Sequence, residues 1–469
     1  MNSRLLLLLV GFSLFLGGCS MAPQYNQPPA PIPAQWPQGD AYKDVQSTNA
    51  PIVPELSRQD FFADPQLQEL IELALENNRD LRLAALNVER ARALYGIRRA
   101  ELFPAVNAAG AGGRQRRSTD LIAPGEQNIV EQYKVNLGVA AWEIDFFGRI
   151  RSLKDQALEA YLATDEARRG AQIALVAEVA RTYLSLAANR ENLALSQSTM
   201  ATQLNSYKLE EKRFNVGITS EIDLRRAQIP VETARRNVAI YTQRVAQDKN
   251  ALNLLAGEPV LESLLPNDLS HIQPPKDISA GLTSEVLLQR PDILAAEHQL
   301  KGAYAIIGAA RAAFFPRISL TSTFGTASNE LSGLFNSGSK TWNFTPLVVM
   351  PIFDARVWAA YRVSKAERDI VLTRYEKTIQ VAFREVADTL AIQGSIDQQV
   401  AAQQALVVAT AETYRLADLR YNQGIDDYLG VLVAQRSQFA AQQVLVLLRL
   451  SKLTNRVRLY AVLGGGGSS

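Results

Sequence analysis

The sequence predicts a mixed α and β membrane protein of duplicated architecture. Each chain supplies four strands to a β-barrel and continues it with a long antiparallel coiled coil. Three observations lead there: an internal repeat about 200 residues long, a sustained seven-residue apolar period, and segments of alternating polarity at matching points of the two halves.

Residues 80–104 reappear 212 positions later as 292–316, with nine of twenty-five positions identical. Among them Asp80, Gly96, Arg99, Phe103 and Pro104 return as Asp292, Gly308, Arg311, Phe315 and Pro316. Further on, at an offset of 207, Glu178, Val179, Ala180 and Thr182 return as Glu385, Val386, Ala387 and Thr389. Arg213, Asn215, Gly217 and Ile218 return as Arg420, Asn422, Gly424 and Ile425. Solenoid repeats are far shorter, so the duplication describes one pseudo-symmetric body.

Taken in order, residues 1–18 read as a signal peptide: Arg4, an apolar run from Leu5 to Leu16, then Gly17 and Gly18 before Cys19. This ending resembles a bacterial lipobox, in which the cysteine becomes a lipidated N-terminus. Cys19 is the only cysteine of the chain, and Ser20 after it fits sorting to the outer membrane. Residues 19–60 form a proline-rich tether expected to run extended over a surface. Two repeats, 61–257 and 292–464, flank a linker at 258–291, and a Gly/Ser tail fills 465–469.

Within each repeat the pattern is helix, two strands, long helix, turn, long helix. The first helix is expected from 65 to 102 and stops at Phe103-Pro104, as its counterpart stops at Phe315-Pro316, because proline cannot continue a helix interior. Strand candidates follow at 105–114, 132–144, 317–324 and 342–352, with Tyr133, Val135 and Leu137 alternating against Lys134, Asn136 and Gly138. Trp142, Phe146, Phe147, Trp342, Phe344 and Phe353 flank them and fit interfacial girdles.

The long helices carry the clearest period. Val179, Leu186, Leu193, Met200, Tyr207 and Phe214 stand seven apart; the second half has Val386, Gln393, Val400, Val407, Tyr414 and Tyr421 in the same frame. Such a repeat predicts left-handed coiled-coil packing. A helix from about residue 149 to 212 would reach roughly 90 to 100 Å, too long for a compact globule. The turns after Asn215 and Asn422 contain Gly217 and Gly424, and Ser220 or an aspartate can cap each returning helix. Thr219-Ser220-Glu221 against Asp426-Asp427-Tyr428 is where the two halves disagree.

Composition excludes several classes. A formal net charge of +2 with 20% charged residues gives no basic field for nucleic acid. His271 and His298 are isolated, and the four methionines, at 1, 21, 200 and 350, are too scattered for a copper relay. No convergent acid, base or nucleophile suggests an enzyme, and no metal or cofactor is expected beyond a lipid on Cys19. No later segment has 18 uninterrupted apolar residues, so no transmembrane helix is expected. Four strands alone cannot close a barrel, because lipid leaves no partner for an open edge. Two chains would give a filled eight-stranded barrel; three would give twelve strands with more room for an aqueous lumen.

Several motifs resemble the TolC-like outer-membrane factors, and within them the lipoprotein channels of RND-type tripartite efflux pumps. They are Arg290-Pro291-Asp292-Ile293, the run from Ile307 to Pro316, Asp145-Phe146-Phe147-Gly148-Arg149, and the terminal Leu463-Gly464-Gly465-Gly466. The resemblance implies a homotrimer with a twelve-stranded β-barrel and a twelve-helix α-barrel, anchored in the bacterial outer membrane and projecting into the periplasm. It also implies a periplasmic adaptor and an inner-membrane RND transporter as partners, this subunit being a passive gated duct for small toxic compounds. Adaptor-docking tips then fall on 213–222 and 420–429, with Arg213, Asn215, Gly217, Ile218, Ser220, Arg420, Asn422, Gly424 and Ile425. The periplasmic gate falls on Asp426, Asp427, Leu429 and Arg436. One departure is Val433 before Ala434-Gln435, where relatives often carry an acidic residue. A type I protein-secretion duct would use the same fold. A lipid-anchored coiled-coil scaffold without a pore would account for the heptads and Cys19 but leave the alternating strands without a role.

Overall fold

The structure, a computed structural model, describes residues 20–42, 51, 56–281 and 283–465. The signal peptide, Cys19, parts of the tether and residues 466–469 lie outside the described residues. The principal elements in chain order, after a single helical turn at Arg58–Phe61, are α1 (Pro65–Asn77), α2 (Arg79–Ala100), β1 (Val106–Arg116), β2 (Ile129–Glu143), α3 (Arg149–Asn215) and α4 (Glu221–Ala256). The second repeat supplies α5 (Pro291–Ala312), β3 (Arg317–Ser328), β4 (Lys340–Val349), α6 (Ala355–Asn422) and α7 (Tyr428–Val462). Among the described residues no helix is long and apolar enough to cross a membrane.

The first expected helix is two. Asn78 leaves the helical region with ψ 129°, and its side chain serves both sides of the break: Nδ2 donates to Leu255 O at 2.9 Å, while Oδ1 accepts from Leu81 N at 2.9 Å. A single asparagine thus ends α1 and caps α2. In the second repeat, Arg290 and Pro291 occupy the equivalent corner, with proline at the first helical position.

The chain divides into two compact units. One gathers residues 20–29, Asn87–Asp165 and Ala295–Tyr375. It holds a four-stranded antiparallel sheet in the order β1-β2-β3-β4. Register places Ala108, Leu137, Phe324 and Trp342 in one row across the strands, and Val106, Val139, Ser322 and Phe344 in another on the same face. The opposite face carries Asn107, Gly138, Thr323 and Asn343 in one row, and Ala109, Asn136, Gly325 and Thr341 in the next. One face is therefore apolar yet exposed, with Trp342 at 74%, and the other is polar. Strands β1 and β4 are the two edges. A bulge between Val139 and Trp142 shifts the β2–β3 register; Ala141 sits there at φ 49° and donates its N–H to Thr321 Oγ1 at 3.0 Å. The flanking aromatics divide: Trp342, Phe344 and Phe353 are exposed, whereas Phe147 stacks on Phe315 with centroids 4.8 Å apart.

The motif after β2 starts the long helix. Asp145 accepts from the N–H groups of Ile150 and Arg151 at 3.1 and 2.9 Å, and Glu143 receives two 2.8 Å bonds from Arg149. A carboxylate at a helix start satisfies orphan donors and complements the dipole. In this unit the tether is tied down as well. Met21 O accepts from Arg311 at 3.2 Å, and Tyr25 donates to Glu297 at 3.1 Å.

The second unit gathers the described parts of Ala30–Leu86, Glu166–Leu294 and Glu376–Ser469. Its centre is an aromatic cluster in which Phe61 stacks on Tyr460 at 4.4 Å and meets Phe62 edge-on at 4.7 Å. Tyr183, fully buried, donates to Asp64, the N-cap of α1, at 3.2 Å. Trp36 of the tether stacks on Phe383 at 5.3 Å and donates to Gly281 O at 3.1 Å. Helices α3 and α6 run 67 and 68 residues, about 100 Å each at 1.5 Å per residue. Their heptad positions are buried at Val179, Leu186 and Val386, only half-buried from Leu193 and Gln393 onward, and exposed at Phe214.

Candidate functional site

The two turns that reverse α3 into α4 and α6 into α7 are built alike. At the end of α3, Ile218 N–H donates to Arg213 O at 2.8 Å and Gly217 N–H donates to Phe214 O at 2.9 Å. At the end of α6, Ile425 N–H donates to Arg420 O at 3.0 Å and Gly424 N–H to Tyr421 O at 2.9 Å. This paired 6→1 and 5→2 bonding is a Schellman motif. It needs a left-handed residue, and Gly217 (φ 77°) and Gly424 (φ 71°) supply it. Asn215 and Asn422 each close their helix, and Ile218 and Ile425 project as exposed apolar side chains.

The helix starts after the turns differ. Ser220 caps α4 by accepting from Asp223 N at 3.2 Å, and its hydroxyl donates to Asp223 Oδ2 at 2.6 Å, holding that carboxyl below the usual range. Asp427 caps α7 through a longer 3.4 Å bond from Gly430 N. Leu429, in the first turn of α7, is exposed. Arg436 lies two turns further on and is also exposed.

Charge pairing breaks the symmetry further. Arg420 grips Asp426 with Nε to Oδ2 at 2.5 Å and Nη2 to Oδ1 at 2.9 Å, which keeps the Asp426 carboxyl low. The counterpart of Asp426 is Thr219, so Arg213 turns elsewhere. It pairs with Glu210 at 3.0 Å, lies over the Tyr421 ring at 5.2 Å, and donates to the Tyr421 hydroxyl. That hydroxyl donates to Glu210 Oε1, and the Tyr421 ring meets Tyr428 at 5.1 Å. Burial and the neighbouring carboxylate of Glu210 push the Tyr421 hydroxyl well above the ordinary phenol range. This set joins the first hairpin to the second.

The structure thus brings Arg420 together with Asp426, and Arg213 together with Tyr421 of the other hairpin. It does not pair Asp427 with Arg436. Sequence reasoning missed Glu210, whose surroundings in the chain carry no signal, and missed Tyr428 as a ring partner. Tyr421 stood in the heptad frame, and an aromatic so near a helix end was the available hint. The isolated histidines have simple partners: His298 Nδ1 lies 2.6 Å from Glu159, and His271 Nδ1 lies 2.8 Å from Asp268.

A family model described as outer membrane efflux protein matches residues 70–258 and 282–465, which hold both hairpins and all four strands. The chain belongs to this family. The efflux protein is 48% identical over 466 residues to the antibiotic efflux pump outer membrane protein ArpC of Pseudomonas putida, covering 99% of this chain and 96% of that one. It is also 48% identical over 458 residues to the solvent efflux pump outer membrane protein SrpC of the same species, covering 97% of each. Among solved structures, a membrane protein from Pseudomonas aeruginosa superposes with a TM-score of 0.89 at 41% identity, covering 96% of this chain and 98% of that one. The efflux protein is therefore an outer-membrane channel component of efflux pumps that spans the outer membrane and extends into the periplasm.

Proposed function

We propose that this efflux protein is the passive exit duct of a tripartite pump, with three copies closing one twelve-stranded barrel. The observation that supports this most strongly is the amphipathic sheet with two unpaired edges. An exposed apolar face suits lipid and a polar face suits water, yet open edges cannot stand in hydrocarbon. Pairing β1 of one copy with β4 of the next satisfies both edges. A twelve-stranded ring leaves an aqueous lumen where eight strands would be filled by side chains.

In this reading the paired turns at 213–222 and 420–429 receive a periplasmic adaptor, an RND transporter supplies energy, and the gate is formed by Asp426, Asp427, Leu429 and Arg436. Iris-like movement of the second hairpin opens it. A lipid on Cys19 anchors each copy. Relatives named for antibiotic and solvent efflux support small apolar toxic compounds as cargo. The test is reconstitution: the purified protein should have the mass of three chains and conduct ions in a planar bilayer. In cells, its deletion should sensitise to antibiotics and solvents. A monomer without conductance would overturn the reading.

A further inference from the structure

A cleft of about 450 Å³ lies between α3, α4 and α7 in the second unit. Its walls include Ile229, Pro230, Leu432 and Phe439, an apolar lining broad enough for an aromatic body. Two arginines, Arg226 and Arg436, border it and no carboxylate does. Arg226 reaches Asp223 only at 3.4 Å, and among the described residues Arg436 makes no hydrogen bond or ion pair.

Polar groups inside the cleft are unmet. Gln203 and Gln435 line it at 4% and 7% exposure, and neither amide oxygen accepts a hydrogen bond among the described residues. Buried acceptors of this kind are rare and expensive to leave unpaired.

From this geometry we infer that the cleft is a binding site for a small anionic aromatic molecule that also carries a hydroxyl or N–H donor. The apolar walls take the ring system, Arg436 and Arg226 take the anion, and the amide oxygens of Gln203 and Gln435 take the donor. Because the cleft is walled by both hairpins, an occupant touches α4 and α7 together. Arg436 and Leu429 of the proposed gate also line this cleft, but binding needs only the packing of three helices within one unit, so its failure would leave the channel reading standing.

The test uses the full protein in lipid nanodiscs and the fluorescent probe 6-hydroxy-2-naphthoate, whose hydroxyl lies too far from its own carboxylate to bond it, with empty nanodiscs correcting for partition into lipid. Saturable binding of one probe per chain is expected. Arg436→Ala should weaken it about tenfold, the size of a charge-assisted contact, and Arg436→Lys should restore part of the loss. 2-Naphthoate, which lacks the donor, should bind more weakly to the natural protein but equally well to the Gln203→Leu, Gln435→Leu double variant. A cationic naphthylmethylammonium should not compete. Binding no greater than in empty nanodiscs, or binding indifferent to Arg436 and to probe charge, would overturn the assignment.

Discussion

The hydroxyl of Tyr421 donates to Glu210 Oε1 at 2.5 Å, so the end of α6 is hydrogen-bonded to the end of α3. Glu210 has a side chain only 4% exposed, and its charge is met by Arg213 and this phenol. The pairing lies within one helical turn of both Schellman motifs. Whatever moves one hairpin relative to the other must break or carry it.

Tyr421→Phe keeps the ring and removes the bond. A buried carboxylate then loses one of its donors, at a cost of about 1 to 2 kcal/mol. Amide hydrogen exchange should accelerate near residue 210 and near residue 421, while the upper reaches of α3 around Tyr183 stay protected. Unchanged exchange at both tips would show that the hydrogen bond does not hold the hairpins together.

For the proposed gate, replacing Asp427 and Arg436 together with alanine should raise single-channel conductance in a planar bilayer. Asp427 is also an N-cap, and losing a cap costs about 1 kcal/mol. Asp427→Asn separates the two roles, because asparagine caps as well as aspartate but carries no charge. If the gate uses charge, the Asn variant should conduct more than the natural protein. Equal conductance in all variants would remove these residues from the gate and leave the duct itself untouched.

Asp248 provides a pH test. Burial is the largest influence on its carboxyl and pushes it above the ordinary range, against hydrogen bonds from Asn189 and Ser185 that favour the ionised form. A carboxyl raised in the native state binds its proton more tightly there than in the unfolded chain. Stability is therefore lost as pH rises from the unfolded value of about 3.9 through the native one. Asp248→Asn removes that loss. Its melting temperature should exceed that of the natural protein at pH 7, and the gap should shrink at pH 3.5. A gap that grows on acidification would reverse the assigned sign.

The sheet predicts an asymmetry between neighbouring positions. Phe344 lies on the apolar face and Asn343 on the polar one. Phe344→Arg should reduce the amount of assembled protein in the outer membrane, since arginine on the lipid face costs about 2 to 4 kcal/mol at mid-membrane. Asn343→Arg should assemble normally and alter ion selectivity instead. Quantitative immunoblots of outer-membrane fractions and reversal-potential measurements would distinguish the two.

Features governed by local or periodic rules were legible in the sequence. The heptads of α3 and α6, the proline stops at Pro104 and Pro316 and the glycine turns at 217 and 424 all follow from backbone physics within a few residues, and the duplication doubled each signal. Family motifs were legible as strings but not as contacts: Asp145 proved to be a helix cap, and Arg149 proved to be ion-paired with Glu143. What could not be read depends on partners far along the chain. The break at Asn78 is held by the carbonyl of Leu255, Tyr183 finds Asp64, and the tie between hairpins joins positions 210 and 421. No periodicity encodes such pairs. Asp426 was legible as an acidic residue of the turn, but its engagement by Arg420 follows only from the backbone geometry of the Schellman motif.

Two turns with the same backbone bonds and different side chains have an evolutionary consequence. Were each half encoded as a separate identical subunit, any mutation at Thr219 would fall on every turn of the assembly at once. Within a single chain the two turns can differ, because a substitution at one leaves the other unchanged. The glycine and isoleucine of the bend stand in both turns, so the shared backbone is kept while the side chains after it are free to take separate tasks.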